Sequence, residues 1–454
     1  MTSILWLRRD LRRADHPALA AAQEHGPVLP LFVVDPAIFD SAGDARRAWL
    51  AHTLRALDAA YEGRLCLRQG DPVEVLPAVA AEVGASVVHV STETEPDGAA
   101  RDARVRHALE QTGVGWVATG SPYAVTPGRV LNQQGQPYRV FTPFSRAWRA
   151  HGWRPPATEP RAARLVQRPT DDDAWQRLDE AVVAPGAPEL PPAGEHAALE
   201  RWHEFLDVGL SSYATNRDRP DLDGTSRLSP YLKFGVLHPR TLLAGLAGRS
   251  PRGADRFGTE IAWREFYADV LHHNPDSLWQ DLRPELSAMA NDDDPALLDA
   301  WRQGRTGYPF VDAGMRQLRA VGWMHNRVRM VTASFLIKDL HHWWGVGARH
   351  FLDHLIDGDL ASNNHGWQWV AGTGTDAAPY FRVFNPVGQG RKFDPDGDYV
   401  RRWIPELRHL EGADGHQPWD HPQGYDHGYP ERVVDHAEQR RIALDRLAIA
   451  RGGG

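Results

Sequence analysis

The sequence predicts an α/β fold followed by an all-α fold. An N-terminal parallel-sheet domain is joined by a long connector to an all-helical domain. Three observations lead there. Short apolar runs alternate with helical patterns up to Val117, prolines crowd the stretch between Pro155 and Pro192, and strand signals vanish after Ala197. The apolar runs are Ile4–Leu7, Val28–Val34, Leu65–Leu67, Val87–Val90 and Val114–Val117. Between them Ala18–Glu24, Arg46–Tyr61, Pro72–Val83 and Ala99–Gln111 read as helices. Strand–helix alternation of this kind implies a Rossmann-like parallel sheet with helices on both faces. No G-x-G-x-x-G follows a strand, so the dinucleotide fingerprint is absent, although the carboxyl ends of the strands can still take a nucleotide-like ligand.

Prolines 155, 156, 160, 169, 185, 188, 191 and 192 rule out long regular elements in the next stretch, which reads as a connector. Helical periodicity then returns in Leu199–Asp207, Tyr231–Phe234, Pro239–Ala247, Ala254–Asn274, Pro295–Gln303, Val311–Gly322, Asn326–Leu340 and Ala348–Leu355. The boundaries fall at 1–130 for the α/β domain, 131–197 for the connector and 198–454 for the helical domain.

Composition narrows the class. The single cysteine, Cys66, excludes a disulfide framework and a Cys-based zinc site, and fits a reducing cytoplasm. The N-terminal apolar run precedes Arg8, Arg9, Arg12 and Arg13, the reverse of a signal peptide, and no run is long enough to span a membrane. A net charge of -8 gives no sign of a nucleic-acid partner, but phosphate binding needs only a local basic patch. Eleven of the 17 tryptophans lie after residue 200. Tryptophan needs a partner for its indole N–H when buried, so this excess marks the helical half for scrutiny.

Several clusters there carry chemistry. Gly224-Thr225-Ser226-Arg227-Leu228-Ser229-Pro230 is a loop into a helix, either a plain N-cap or a phosphate cradle. Glu260, Trp263, Arg264 and Tyr267 share one helix face, which suits a polar aromatic ligand or a solvated Glu-Arg pair beside a core Trp. Trp323 to Met330 sets His325, Asn326, Arg327 and Arg329 at the opening of an apolar helix, with Asn326 a cap or a hydrogen-bonding site. Ile356 to Trp369 holds Asp357, Asp359, Asn363, Asn364, His365, Trp367 and Trp369 around Gly358 and Gly366. It lacks the spacing of a calcium loop. Gly372-Thr373-Gly374-Thr375 and Asn385 to Lys392 read as loops with exposed amides and cations. The histidine pairs 272/273, 341/342 and 350/354 lack a third ligand, so they read as surface or satisfied core residues, and no metal is expected.

Together these segments resemble the photolyase/cryptochrome family, specifically the class I cyclobutane pyrimidine dimer photolyases. The resemblance runs from Trp6-Leu7-Arg8-Arg9-Asp10-Leu11-Arg12 to Asp376-Ala377-Ala378-Pro379-Tyr380-Phe381-Arg382 and beyond. It implies FAD in the helical domain, with Tyr213 and Thr225, Ser226, Arg227, Leu228 and Ser229 on its phosphates. Arg264, Arg329, Asp357, Gly358 and Asp359 would surround the ring and ribose, with Asn363 near the flavin N5. Glu260, Trp263, Asn326, Met330 and Trp369 would line the cavity for the flipped dimer, and Arg217, Arg327 and Gln389 would contact DNA. Photolyases are themselves a standard instance of base flipping. The implied reaction is carbon–carbon lysis, with an electron passing from photoexcited reduced FAD to the dimer and back. Trp263 and Trp369 can pack the apolar faces of a dimer, and Glu260 and Asn326 can hydrogen-bond its edges.

The family's α/β domain often holds a light-harvesting pigment. Glu95 and Asp97 lie after the fourth strand, and Lys233 resembles the members that bind an 8-HDF-type deazaflavin, with methenyltetrahydrofolate as the alternative. The protein is expected to act as a monomer. One departure stands out. The family relays electrons to the flavin through three tryptophans; Trp367 and Trp344 match the inner two, but the surface position falls on Asn291. Trp343, Trp301 or a tyrosine would have to replace it, or light-driven reduction of the flavin would be slow. The main rival is a cryptochrome-type blue-light photoreceptor. Asn326, where a second His would be expected, disfavours a six-four photolyase. A DNA-free flavoprotein electron carrier would fit the acidic charge but not the paired Trp263 and Trp369.

Overall fold

A computed structural model describes residues 2–158, 164–183, 188–375 and 382–452. Five strands, β1 (Thr2–Leu7), β2 (Val28–Val34), β3 (Cys66–Gln69), β4 (Ala85–Val90) and β5 (Gly115–Ala118), form a parallel sheet in the order β3-β2-β1-β4-β5. Ile4 pairs with Leu29 on one side and with Val88 on the other, so β1 is central. All seven residues of β2 are buried, as a strand covered on both faces requires. Each of the five expected strands lies within two residues of its predicted start, and Pro72–Val83 is a helix with the bounds read from sequence.

By packing, the chain forms two units. The first comprises Met1–Ser211, Ser226–Pro275 and Ile356–Gly358; the second comprises Ser212–Thr225, Asp276–Leu355 and Asp359–Gly454. These units do not follow the composition boundaries at 130 and 197. The first contains the sheet and also the helices Ser229–Lys233, Pro239–Gly245 and Pro251–His273. The second is helical around a core that includes Trp301, Tyr308, Phe310, Phe335, Trp344, Phe351, Trp367 and Tyr399.

Four readings change. The proline-rich stretch contains a regular helix, Asp172–Val182, between Pro169 and Pro185. Asp172 and Asp173 favour its N-terminus, and Ala174 and Leu178 form a buried stripe. The Gly-punctuated cluster after Ile356 is largely a helix, Leu360–Ala371, because Asp359 accepts the Ser362 N–H at 2.9 Å and Gly372 closes the last turn at φ 89°. Asn385 to Lys392 is likewise a helix, Pro386–Phe393, in which the Asn385 side chain accepts the Gly388 N–H at 2.9 Å. At the opening of Asn326–Lys338 the cap is His325, whose Nδ1 accepts from the Arg327 N–H at 3.1 Å, and Asn326 is the first helical residue. Of the quoted segment Asp376 to Arg382, only Arg382 falls within the described residues. No helix among the described residues is long and apolar enough to cross a membrane.

Candidate active site

In the first unit the helix Pro251–His273 carries two kinds of side chain on opposite faces. Inward, the Glu265 carboxylate accepts the N–H of Ala124, that of Val125 at 3.0 Å and the Trp148 indole N–H at 2.6 Å. Burial pushes its pKa up to about 7, against the pull of those donors. One turn on, Asp269 accepts the Gly128 N–H at 2.7 Å. The loop 121–128 is thus tied to the helix. Outward, Glu260, Trp263 and Tyr267 sit half-exposed on one face. Phe141, from the helix Phe141–His151, stacks on Trp263 with ring centres 3.6 Å apart and planes 6° from parallel. Tyr267 lies 5.4 Å from Trp263, and Arg256 pairs with Glu260 at 3.2 Å. Arg264 is anchored to the carbonyls of Pro122 (3.1 Å) and Leu232 (3.2 Å), with its guanidinium 4.5 Å over the Tyr123 ring.

The same unit holds Ser226 to Ser229, Asp357 and Gly358. Arg227 adopts φ 52° and Leu228 is buried. No side chain caps the short helix Ser229–Lys233, so the plain N-cap reading fails. The hydroxyls of Ser226 and Ser229 donate to no partner among the described residues.

In the second unit, Asn326 Nδ2 lies 3.9 Å from Met330 Sδ, one turn along the same helix. Arg327 pairs with Asp218 at 3.1 Å and lies 4.4 Å over the Phe393 ring, and Arg329 Nε donates to the Met324 carbonyl at 2.8 Å. Burial lowers the His325 pKa to about 4, helped by Arg327 and Arg329 and opposed by Asp218, so its Nδ1 stays free to cap the helix. Tyr213 is buried in the helix Tyr213–Asn216, with Arg217 as its C-cap, and Gln389 is half-buried on Pro386–Phe393. Trp369 packs half-buried against the core of the unit. Thr225, Asp359 and Asn363 also belong here.

Asn363 Nδ2 donates to the Ala348 carbonyl at 3.1 Å and to Asn364 Oδ1 at 2.9 Å. Its own Oδ1 is left as an acceptor among the described residues. One turn on, a Cβ at Gly366 would meet no atom within 4 Å. These features fit FAD. Within the first unit Ser226 and Ser229 carry hydroxyls of the kind that bind phosphate; within the second, Asn363 carries an amide oxygen of the kind that accepts from a ring N–H, and Gly366 leaves the backbone open.

The opposite face of that helix is a clamp. The Gln368 amide donates to the carbonyls of Ser277 (2.7 Å) and Gln280 (3.2 Å) and accepts the Leu282 N–H at 2.9 Å. Asn364 donates to the Leu278 carbonyl at 2.5 Å, and His365 Nε2 lies 3.0 Å from Ser277 Oγ. The clamped segment places Trp279 parallel to Trp344, with ring centres 6.4 Å apart and planes 4° apart. It also places Asp281 Oδ1 2.7 Å from the Trp344 indole nitrogen. Trp344 and Trp367 are buried in one core, whereas Asn291 is exposed.

Near the carboxyl end of β4, Glu95 pairs with Arg9 at 2.5 Å and with Lys233 at 3.8 Å. Asp97 is not drawn into this cluster and lies exposed in the first turn of Pro96–Gln111. Gly235 closes the Lys233 segment at φ 64°, where a Cβ would fall 1.9 Å from the Arg9 carbonyl oxygen. Among the described residues no group of three or more His, Cys, Asp or Glu is placed to hold a metal. His350 is buried, but its Nε2 has no hydrogen-bond partner among the described residues, so it is not the satisfied core histidine expected.

Sequence reasoning missed Phe141, Glu265, Trp279, Asp281 and Gln368. Glu265 and Asp269 left a trace, two acids at i,i+4 on an otherwise apolar face. Phe141 left none, because it comes from a distant element.

Residues 3–162 match the DNA photolyase family, and residues 257–448 match the FAD binding domain of DNA photolyase. A deoxyribodipyrimidine photo-lyase of Streptomyces griseus is 42% identical over 99% of both chains. That of Escherichia coli is 38% identical over 100% of this chain and 99% of its own. Among solved structures, a bacterial class III photolyase from Agrobacterium tumefaciens superposes with a TM-score of 0.91 at 37% identity, covering 99% of this chain and 98% of that one. An archaeal photolyase from Sulfolobus tokodaii with two FAD molecules gives 0.87 at 28% identity over 99% and 100% of the two chains.

Proposed function

The chain belongs to the DNA photolyase family, and from that premise we propose that it repairs cyclobutane pyrimidine dimers in DNA in a light-driven reaction. The observation that carries this reading is the outer face of Pro251–His273. It presents a carboxylate, Glu260, beside an indole, Trp263, whose plane is already fixed by Phe141. An aromatic surface that is ordered in advance loses little entropy when two fused, half-polar bases dock on it. Glu260 orients such a ligand by accepting from its ring N–H groups, and Asn326 offers a further donor and acceptor. Arg217, Arg327 and Gln389 supply contacts to the DNA backbone.

FAD, when bound in reduced form, supplies one electron under light and recovers it after the cyclobutane bonds break. The protein's part is to hold it. Ser226 and Ser229 would hold its phosphates and Asn363 Oδ1 would accept a ring N–H, while Arg264 is kept in place by its two carbonyl anchors. Glu95 and Lys233 would hold a second chromophore in the α/β portion, read here as an 8-HDF-type deazaflavin with methenyltetrahydrofolate as the alternative. The absorbance of protein purified from a deazaflavin-producing host tests that choice, and a folate band would reverse it.

The test of function is direct. Protein with fully reduced FAD is incubated with dimer-containing single- and double-stranded DNA under blue light, and the loss of dimers is counted. No loss would leave a photoreceptor role; the fold is also similar to a cryptochrome of Synechocystis (TM-score 0.88, 26% identity, covering 98% of both chains).

A further inference from the structure

Trp344 borders an open cavity of about 390 Å³, lined by Trp279, Asp281, Asn291, Trp343 and Thr373 among others. The residue that sets it apart from the other buried tryptophans is Asp281. Trp301, whose ring centre is 6.1 Å from that of Trp367, is fully buried and gives its indole N–H to the Thr332 carbonyl at 3.0 Å. A carbonyl oxygen accepts a hydrogen bond but does not keep the proton. The Trp344 indole N–H faces a carboxylate at 2.7 Å, within the range for direct proton transfer. That carboxylate is itself held, because Ser287 Oγ donates to Asp281 Oδ2 at 2.6 Å and Gln368 accepts the neighbouring Leu282 N–H.

We propose that Asp281 is the proton acceptor for oxidised Trp344, so that the relay ends at Trp344 and needs no aromatic residue at Asn291. The proposal rests on the photolyase reading above. Once Trp367 has given up an electron, Trp344 refills it and becomes an indole radical cation. In that state the Nε1–H is far more acidic than in the neutral ring, so a carboxylate can take its proton. The N–H bond breaks with its electron pair left on nitrogen, and an O–H bond forms at Asp281 Oδ1. The products are a neutral tryptophanyl radical and a carboxylic acid, so charge and atoms balance. A thiolate reductant entering from the cavity returns the electron and becomes a thiyl radical, and the Asp281 proton goes back to Nε1, which restores the carboxylate.

The two aromatic neighbours are poorer end points. Arg349 sits 4.2 Å over the Trp279 ring, and a cation there opposes a positive hole. Trp343 lies 5.4 Å from Trp344 at a 54° tilt, and no carboxylate accepts from its N–H among the described residues. The helix that begins at Trp344 also packs tightly on Trp367, since a Cβ at Gly347 would fall 2.2 Å from the Trp367 ring.

Flash excitation of the flavin-loaded full-length protein tests this, with the tryptophan radical followed by transient absorption and electron paramagnetic resonance. Asp281→Asn keeps an acceptor oxygen for the indole N–H but cannot take its proton. Formation of the neutral radical should slow by at least about tenfold, whereas Trp343→Phe and Trp279→Phe should stay within about twofold of the parent. An unchanged rate in Asp281→Asn overturns the proposal, as does loss of the neutral radical in either Phe variant. Dimer repair by chemically reduced Asp281→Asn should equal that of the parent. A parent that repairs nothing when reduced would sink the functional reading instead, with the radical kinetics judged separately.

Discussion

Gln368→Leu should loosen the whole segment 277–282 at little cost in volume. The substitution removes three hydrogen bonds, to the Ser277 carbonyl, the Gln280 carbonyl and the Leu282 N–H. Ser277 is buried, so its carbonyl bears a full desolvation penalty of about 1–3 kcal/mol. Gln280 is exposed and Leu282 half-buried, so water replaces those bonds and each costs only about 0.5–1.5 kcal/mol. The sum is about 2–6 kcal/mol, and the added apolar burial returns about 1 kcal/mol of it. A net loss near 3 kcal/mol corresponds to a fall of roughly 6–12 °C in Tm for a unit of this size. Urea and thermal unfolding measure the total, and hydrogen exchange at the Leu282 amide reports the local opening. Photoreduction should fall with it, because Asp281 rides on the freed segment. A stability loss below about 1 kcal/mol, with Leu282 protection unchanged, would refute the claim that Gln368 holds this segment.

Other expectations are quicker to check. Gly235→Ala places a methyl 1.9 Å from the Arg9 carbonyl in a backbone conformation that suits glycine, so it should cost more than about 3 kcal/mol in chemical denaturation. Ser226→Ala with Ser229→Ala should weaken FAD retention about tenfold or more, read by flavin release on dilution, if each hydroxyl contributes about 1 kcal/mol. The pKa values of His325 and His365 are lowered to about 4 and that of His350 to about 3, so their contribution to stability is intact above the unfolded value of 6.5. It should be lost as pH falls from there towards 4. Unfolding midpoints that stay flat between pH 6.5 and 4.5 would contradict the buried neutral imidazoles.

What the sequence made legible follows from what kind of signal each feature leaves. The sheet was readable because β2 is a continuous apolar run between turn residues, and a buried parallel strand can be little else. The helix Leu360–Ala371 was hidden because Asn363, Asn364, His365 and Gln368 look like loop residues. The helix is held because the side chains of Asn364, His365 and Gln368 bond to a segment 86 to 91 positions away, beyond the reach of any local pattern. His325 as a cap was missed for a similar reason, since imidazole takes that role only when burial keeps it neutral. The resemblance named Glu260 and Trp263 by motif. It could not supply Phe141, which fixes the ring plane, or Asp281, which belongs to no quoted motif.

Phe141 covers one face of the Trp263 ring, so at most the other face is available to a ligand. A single stacking face returns about 1–3 kcal/mol to a base laid against it. Drawing an intact base out of a duplex costs a few kcal/mol, and less for a damaged one. A one-sided platform therefore about breaks even on a dimer and runs at a loss on healthy DNA. On the proposal that Trp263 receives the dimer, two open faces would shrink that difference, and the aromatic residue that blocks half the indole would act as a filter against undamaged sequence.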